Sequence, residues 1–404
     1  MRWNDLPAQV LHVLEKLERA GYEAALVGGC VRDRLMGRAP GDYDITTSAS
    51  PEETQQVFAD ERVILTGLKH GTVTVLREGM PMEITSFRQD GEYTDMRRPD
   101  SVRFTRSLRE DVIRRDFTMN ALAWEQGKGL IDHTGGAEDI RRGLIRAVGD
   151  PNRRFTEDAL RILRAVRFSA QLGFAIEKET ERALFALHGN IGRIAAERVR
   201  VELEKLLPGK DAPRVLSQYR DILRPCIWGG EGISDGQWEQ SARLVAALQP
   251  FSEGKHLLLW AAWLRPLGPE GAAQALRALK ADNAAISGVQ KRLEIAQGPM
   301  ETMYQMRCLA GDCGAQAVRD AVLMRFAFAP EERERALGLL DTIARESLPC
   351  TLAELAIDGK DLLAIGVRGK AIGETLAELL DRVRANCLKN EKNALLEAAK
   401  TCKK

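Results

Sequence analysis

Leu26-Val27-Gly28-Gly29-Cys30-Val31-Arg32-Asp33, followed by Gly41-Asp42-Tyr43-Asp44-Ile45, decides how the first part of this chain folds. A short apolar run, a glycine pair and an amphipathic continuation read as strand, tight turn and helix. A strand is expected over 24–27, a helix over 31–36 and a second strand over 42–46. Two glycines at a strand-to-helix turn let backbone N–H groups approach a phosphate at the helix start. On a strand, residues i and i+2 share one face, so Asp42 and Asp44 are expected side by side. Two carboxylates that close resist ionisation unless a cation lies between them. Hard oxygen donors suit Mg²⁺, and paired metal sites serve in-line displacement at phosphorus. A solvated strand end is the competing reading of an Asp-x-Asp taken alone.

Upstream, Leu6, Val10, Leu14 and Leu17 make one apolar helix stripe closed by Gly21. Downstream, 72–76 and 82–87 alternate like a paired β-hairpin, and 130–131 and 145–148 are further short strands. Glu83 interrupts the apolar alternation of 82–87. A buried, unpaired acid there is costly. A third metal-facing carboxylate would explain it, and so would an exposed strand face. Beyond about residue 155 the pattern is almost wholly helical. Helices are expected over 157–172, 178–187, 196–207, 237–248, 256–264, 314–328, 331–346, 370–385 and 391–401. Pro208-Gly209, Pro250, Pro269 and Pro330 punctuate them.

The composition narrows the class. The 404 residues are 44% hydrophobic and 29% charged with a net charge of +1, which excludes fibrous and wholly disordered chains. No apolar run approaches the ~18 residues of a membrane span, and no secretory signal is visible. The cysteines at 30, 226, 308, 313, 350, 387 and 402 are odd in number and scattered. Neither a disulfide framework nor a zinc site is indicated, so a cytoplasmic protein with free thiols is expected. The positive charge is local. Residues 97–115 and 139–167 each carry a net of +4, almost all arginine, the side chain suited to forked contact with phosphate. A solvated helix face is the alternative.

At this point the chain resembles a known family. Gly-Gly-x-Val-Arg-Asp followed by Asp-x-Asp is similar to the head of the class II tRNA nucleotidyltransferases. These belong to the polymerase-β-like nucleotidyltransferase superfamily and include CCA-adding enzymes and bacterial poly(A) polymerases. Three further blocks follow in the family's order: Arg114-Arg115-Asp116-Phe117-Thr118-Met119-Asn120-Ala121-Leu122-Ala123, then 154–168 with Glu157-Asp158-Ala159-Leu160-Arg161 and Arg164, Arg167 and Phe168, then Glu197-Arg198-Val199-Arg200-Val201-Glu202-Leu203. Together they cover about residues 22–207. Cys30 departs from the small residue usual in the first block.

The resemblance implies an α/β head of polymerase-β type with a small mixed or antiparallel sheet, then an all-α neck, body and tail in an elongated molecule. The divisions expected are 1–148, 149–208, 209–346 and 347–404. It implies catalytic Asp42, Asp44 and Glu83, with Asp42 and Asp44 as metal ligands for Mg²⁺. It implies nucleotide binding by Gly29, Arg32, Arg115, Asp158, Arg161, Arg164 and Arg167. Asp158 and Arg161, at i and i+3, are expected on one helix face, where a local salt bridge is the bland alternative. As a protein template, the aspartate accepts from an exocyclic amine and the arginine donates to the neighbouring ring nitrogen. Cytosine and adenine present donor then acceptor in that order; uracil and guanine present the opposite polarity and leave buried groups unpaired.

Residues 88–100 resemble the family's flexible loop, whose presence argues against an enzyme limited to adding CC. The tail, with Lys360, Lys370, Arg382, Arg384, Lys389 and Lys392, is similar to the bacterial type that grips the outer part of tRNA. The opposing observation is that residues 351–404 carry ten bases against eight acids. The five histidines are isolated from one another, so no phosphohydrolase activity is expected, and His70 reads as a turn residue. The implied activity is addition of CCA to the tRNA 3′ end from CTP and ATP, with release of pyrophosphate. The partners are then tRNA, at its acceptor end and outer arm, with neither membrane nor DNA. An A-adding enzyme paired with a separate CC-adding one and a poly(A) polymerase share these residues. A catalytically inactive RNA-binding protein is the rival from another class.

Overall fold

The computed structural model describes residues 3–65, 67, 71–90, 102–254 and 256–401. His70, Arg97, Arg98, Cys402 and most of the loop expected over 88–100 lie outside them. The chain forms two compact units, Met1–Asp211 and Ala212–Lys404.

The first unit opens with α1 (Ala8–Arg19), β1 (Ala24–Val27), α2 (Gly29–Leu35), β2 (Asp44–Thr47), α3 (Pro51–Val57), β3 (Arg62–Ile64), β4 (Thr72–Arg77) and β5 (Met80–Ser86). A ribbon of β6 (Arg88–Asp90) and β7 (Val102–Phe104) leads to α4 (Leu108–Ile113), β8 (Leu122–Glu125), β9 (Gly129–Asp132), α5 (Gly136–Arg142) and β10 (Leu144–Ile145). The main sheet has the order β3-β4-β5-β2-β1-β8-β9. It is antiparallel except at β2–β5, which run parallel with Asp44 opposite Glu83. All four residues of β1 are buried, as a central strand covered on both faces requires. β5 buries Met82 and Ile84 and exposes Glu83 between them.

The helical part follows as α6 (Pro151–Glu157), α7 (Leu160–Leu172), β11 (Ala175–Ile176), α8 (Lys178–Leu187) and α9 (Ala196–Leu206). β11 adds a two-residue parallel pairing to β10. Three expectations are corrected. Asp42 does not lie on a strand: it sits in the bend before β2. The helix expected over 157–172 begins only at Leu160: Glu157 ends the preceding helix, and between them Asp158 has an extended backbone (φ −145°, ψ 104°). The Asp158 carboxylate accepts from the Leu160 N–H at 3.0 Å, the local competition by which aspartate ends one helix and starts the next. The strand expected over 145–148 stops at Ile145, and Ala147 makes a single bridge to Phe117.

Segment 114–120 crosses between head and helices and is held from behind by α5. A Cβ built on Gly136 would lie 2.1 Å from the Thr118 carbonyl oxygen. Gly136→Ala is therefore expected to push this segment forward at a cost of about 2 kcal/mol or more. A melting temperature unchanged from the native chain would contradict that packing.

The second unit is helical throughout its described residues. Trp238, Trp260 and Trp263 pack together, with ring centroids 5.7 and 5.6 Å apart. Two further cores follow, one around Met300, Met306, Val322 and Leu340, the other around Leu362, Leu379, Val383 and Leu395. Buried Arg307 donates to the carbonyls of Pro349, Val383 and Arg384. Arg384 donates to the Cys350 carbonyl at 3.0 Å and pairs with the exposed Asp312 carboxylate at 3.0 Å. No helix among the described residues is long and apolar enough to cross a membrane.

Candidate active site

The acids gather where β2 begins. Asp44 and Glu83 are register partners on parallel strands, so their side chains leave the same face. Asp42 is exposed, just before the strand, and its charge acts on Asp44 together with that of Glu83. Burial first, and then Asp42, pushes the Asp44 carboxyl up to about 6, against the pull of Arg115. A carboxylate pressed this way is relieved by a cation. Among the described residues no three His, Cys, Asp or Glu side chains form a ready cage. Mg²⁺ needs none, since it is commonly held by one or two carboxylates with the remaining positions left to water and substrate phosphates. The donor set therefore fits that ion. Behind it, the Cys30 thiol donates to the Val27 carbonyl at 3.3 Å, and burial raises it to about 11. That makes it an inert wall residue.

Gly28 has φ +77°, and a Cβ there would meet Arg115 Nη1 at 3.2 Å. The glycine pair thus lets an arginine, as well as a ligand, approach the turn. Arg115 also pairs with fully buried Asp111 at 3.3 Å. Asp111 accepts from Arg114 and from the Thr46 hydroxyl as well. Burial pushes its carboxyl up, but Arg115 and Arg114 outweigh that and hold it below the usual range.

From Arg32 a hydrogen-bonded chain runs into α7. Arg32 Nη1 donates to Asn120 Oδ1 at 2.8 Å, Asn120 Nδ2 to Asp116 Oδ1 at 3.3 Å, and Arg164 Nε to Asp116 Oδ2 at 2.7 Å. Burial acts to raise the Asp116 carboxyl, yet Arg164, Asn120 and Arg161 hold it at about 2. Arg164 in turn feels the charge of Asp158. The glycine turn meets Arg115, and Arg32, Asn120, Asp116 and Arg164 form one connected set, which feels the charges of Asp44 through Arg115 and of Asp158 through Arg164. Asp111, Asp116 and Asn120 were not singled out from sequence. The signal for Asp116 and Asn120 was polar residues within a block otherwise set by apolar packing and arginine; Asp111 lies just before it.

The expected Asp158–Arg161 pairing takes another form. The two are not on one helix face. Arg161 Nη1 donates to Glu157 Oε2 at 2.7 Å, and Asp158 Oδ2 accepts from Arg198 Nη2 at 2.8 Å. Arg167, almost completely buried, lies 3.1 Å from Glu202 of the fourth block. Burial, its largest influence, draws Arg167 down to about 10.

The head matches the poly A polymerase head domain family over residues 24–146. Residues 173–222 match the RNA and SrmB-binding site of polymerase A, and 252–399 match tRNA nucleotidyltransferase domain 2. The CCA-adding enzyme of Limosilactobacillus fermentum is 38% identical across 99% of this chain and 98% of its own. That of Geobacillus stearothermophilus is 39% identical over 93% of this chain and 91% of its own. The crystal structure of the Bacillus stearothermophilus CCA-adding enzyme in complex with CTP superposes with a TM-score of 0.83. It is 35% identical and covers 97% of this chain and 96% of that one. Likeness of this degree, over nearly the full length of both chains, means that this chain belongs to the family of CCA-adding enzymes.

Proposed function

We propose that this protein adds cytidine, cytidine and adenosine to the 3′ end of tRNA without a nucleic-acid template, using CTP and ATP and releasing pyrophosphate. The observation that carries the proposal is the hydrogen-bonded set Arg32–Asn120–Asp116–Arg164, which runs from the helix after the glycine turn into the helix that begins at Asp158. Asp42 and Asp44 would hold Mg²⁺, with Glu83 opposite Asp44 as the third acid; a pair of such ions would supply Lewis-acid activation of the primer 3′-OH and charge neutralisation of the departing pyrophosphate. Gly29 and the start of α2 take phosphate oxygens on backbone N–H groups. Arg32, Arg115, Arg164 and Arg167 supply positive charge for the triphosphate, and the chain through Asn120 and Asp116 fixes how far apart Arg32 and Arg164 sit.

Asp158 and Arg161 read the base edge, the one accepting from the exocyclic amine and the other donating to the ring nitrogen. Each already holds a protein partner, Arg198 and Glu157. Reading a base is then an exchange of hydrogen bonds, and a base of the wrong polarity leaves the displaced groups unsatisfied. The division of labour that follows is a catalytic head over 1–148, a base-reading neck over 149–208, and a body and tail over 209–346 and 347–404 that grip the tRNA by its shape. The setting is the cytoplasm, where tRNA is matured.

The deciding experiment supplies tRNA ending at the discriminator base, at C or at CC, with CTP and ATP singly and together. Full CCA addition to the shortest primer is the expected result. Addition to the CC-ended primer alone selects the A-adding reading, and long A tails select poly(A) synthesis. No incorporation with Mg²⁺ present leaves an RNA-binding protein. Asp158→Ala and Arg161→Ala are each expected to relax the choice between CTP and UTP by about tenfold or more.

A further inference from the structure

The rings and guanidiniums beside the active site carry one more inference, which rests on the nucleotide-binding role given above to Arg32, Arg164 and Arg167. Phe168 follows Arg167 on α7 and lies one turn beyond Arg164. Its ring is 6% exposed and packs edge-on against Phe117, centroids 6.0 Å apart and planes at 86°. Three guanidinium carbons stand over this single ring: Arg167 at 4.0 Å, Arg32 at 5.2 Å and Arg164 at 5.4 Å from its centroid. They come from different places, Arg32 from α2 and the other two from α7. Like charges gathered so closely repel one another. Each also has an acid: Asp33 at 2.8 Å for Arg32, Asp116 for Arg164 and Glu202 at 3.1 Å for Arg167. The acids are three separate residues, one paired with each cation. The ring is the element common to all of them.

We propose that Phe168 is a positioning residue for nucleotide binding, its ring gathering Arg32, Arg164 and Arg167 into one cationic group for the triphosphate of the incoming nucleotide. The negative face of an aromatic ring attracts cations within about 6 Å. An aliphatic side chain would fill the same space without that attraction. The geometry also separates this role from plain core packing, because fluorine weakens the ring's negative face while barely changing its shape.

The test replaces Phe168 in the full chain by 4-fluoro-, 3,5-difluoro- and 3,4,5-trifluorophenylalanine. KM for CTP and for ATP is measured at saturating tRNA, alongside kcat, KM for tRNA and the melting temperature. The expected result is a stepwise rise in both nucleotide KM values, about tenfold by the third fluorine, with KM for tRNA and the melting temperature unchanged. Nucleotide KM values flat across the series overturn the proposal. A series that moves the melting temperature alone overturns it too, and marks the ring as core. Arg164→Met keeps this result apart from the underlying reading. If Arg164→Met leaves both nucleotide KM values unchanged, the nucleotide-binding role of the arginines fails. If it raises them while the fluorine series is flat, the role of the ring alone fails.

Discussion

Asp44→Asn is expected to lower nucleotide incorporation by about a thousandfold or more and, at pH 8, to raise the melting temperature of the metal-free protein. Both results have one cause. The Asp44 carboxyl is raised to about 6, mainly by burial and then by the neighbouring Asp42. An acid whose pKa is higher in the folded state favours folding only while it is protonated. That contribution is full below about pH 4 and is lost as the pH rises through about 6. At pH 8 the charged carboxylate is therefore a burden on the metal-free fold. The shift corresponds to about 3 kcal/mol at most, and partial exposure reduces this to about 1–2 kcal/mol. In a unit of this size that is about 2–8 °C of melting temperature. Asparagine escapes the burden but cannot neutralise a cation. Thermal melts at pH 4.5 and 8, with and without Mg²⁺, separate the effects. Native protein should gain from Mg²⁺ at pH 8, and the variant should gain little. An active Asp44→Asn protein would remove the metal assignment.

The second large effect is expected at Asp116. Its carboxylate accepts from Arg164, from Asn120 and from the Phe117 N–H at 2.8 Å. Asp116→Ala strands a largely buried guanidinium and two further donors. Removing one partner of such a pair costs about 3–5 kcal/mol, which lowers the melting temperature by about 10 °C. Because Arg164 and Asn120 overcome burial and hold the carboxyl at about 2, the stability it supplies is fully present above about pH 4. It is lost as the pH falls through about 2. The penalty of the substitution should accordingly be constant between pH 5 and 8. Both nucleotide KM values should rise, since Arg32 and Arg164 lose the bridge between them. A variant that melts within about 2 °C of the native chain would show that the bridge is decorative.

Much of the head was legible because its signals are short and local. The apolar run before Gly28-Gly29 gave β1, the stripe from Val10 to Leu17 gave α1, and alternation gave the β4–β5 hairpin. The Asp44–Glu83 pairing was half-legible. The odd acid in β5 drew attention, but its register against β2 depends on a parallel pairing between distant segments, which no local pattern encodes. β8 was hidden inside a block read for its arginines. Asp158 misled for a different reason. Its neighbours are strong helix formers, so the sequence reads as continuous, whereas the carboxylate bonds the Leu160 N–H and pairs with Arg198 where the helix breaks. The partners Glu157 and Arg198 follow from that break and were out of reach without it.

The same bond has an evolutionary consequence. The carboxylate proposed to read the base also begins the helix carrying Arg161, Arg164 and Arg167. Position 158 thus cannot drift toward alanine or lysine without loosening that helix. Asparagine holds a helix start about as well as aspartate, has nearly the same shape, and offers an amide donor where aspartate only accepts. A change of alphabet therefore has a narrow, chemically marked route through this residue, and the scarcity of such routes is itself a reason for the spelling of the tRNA end to stay fixed.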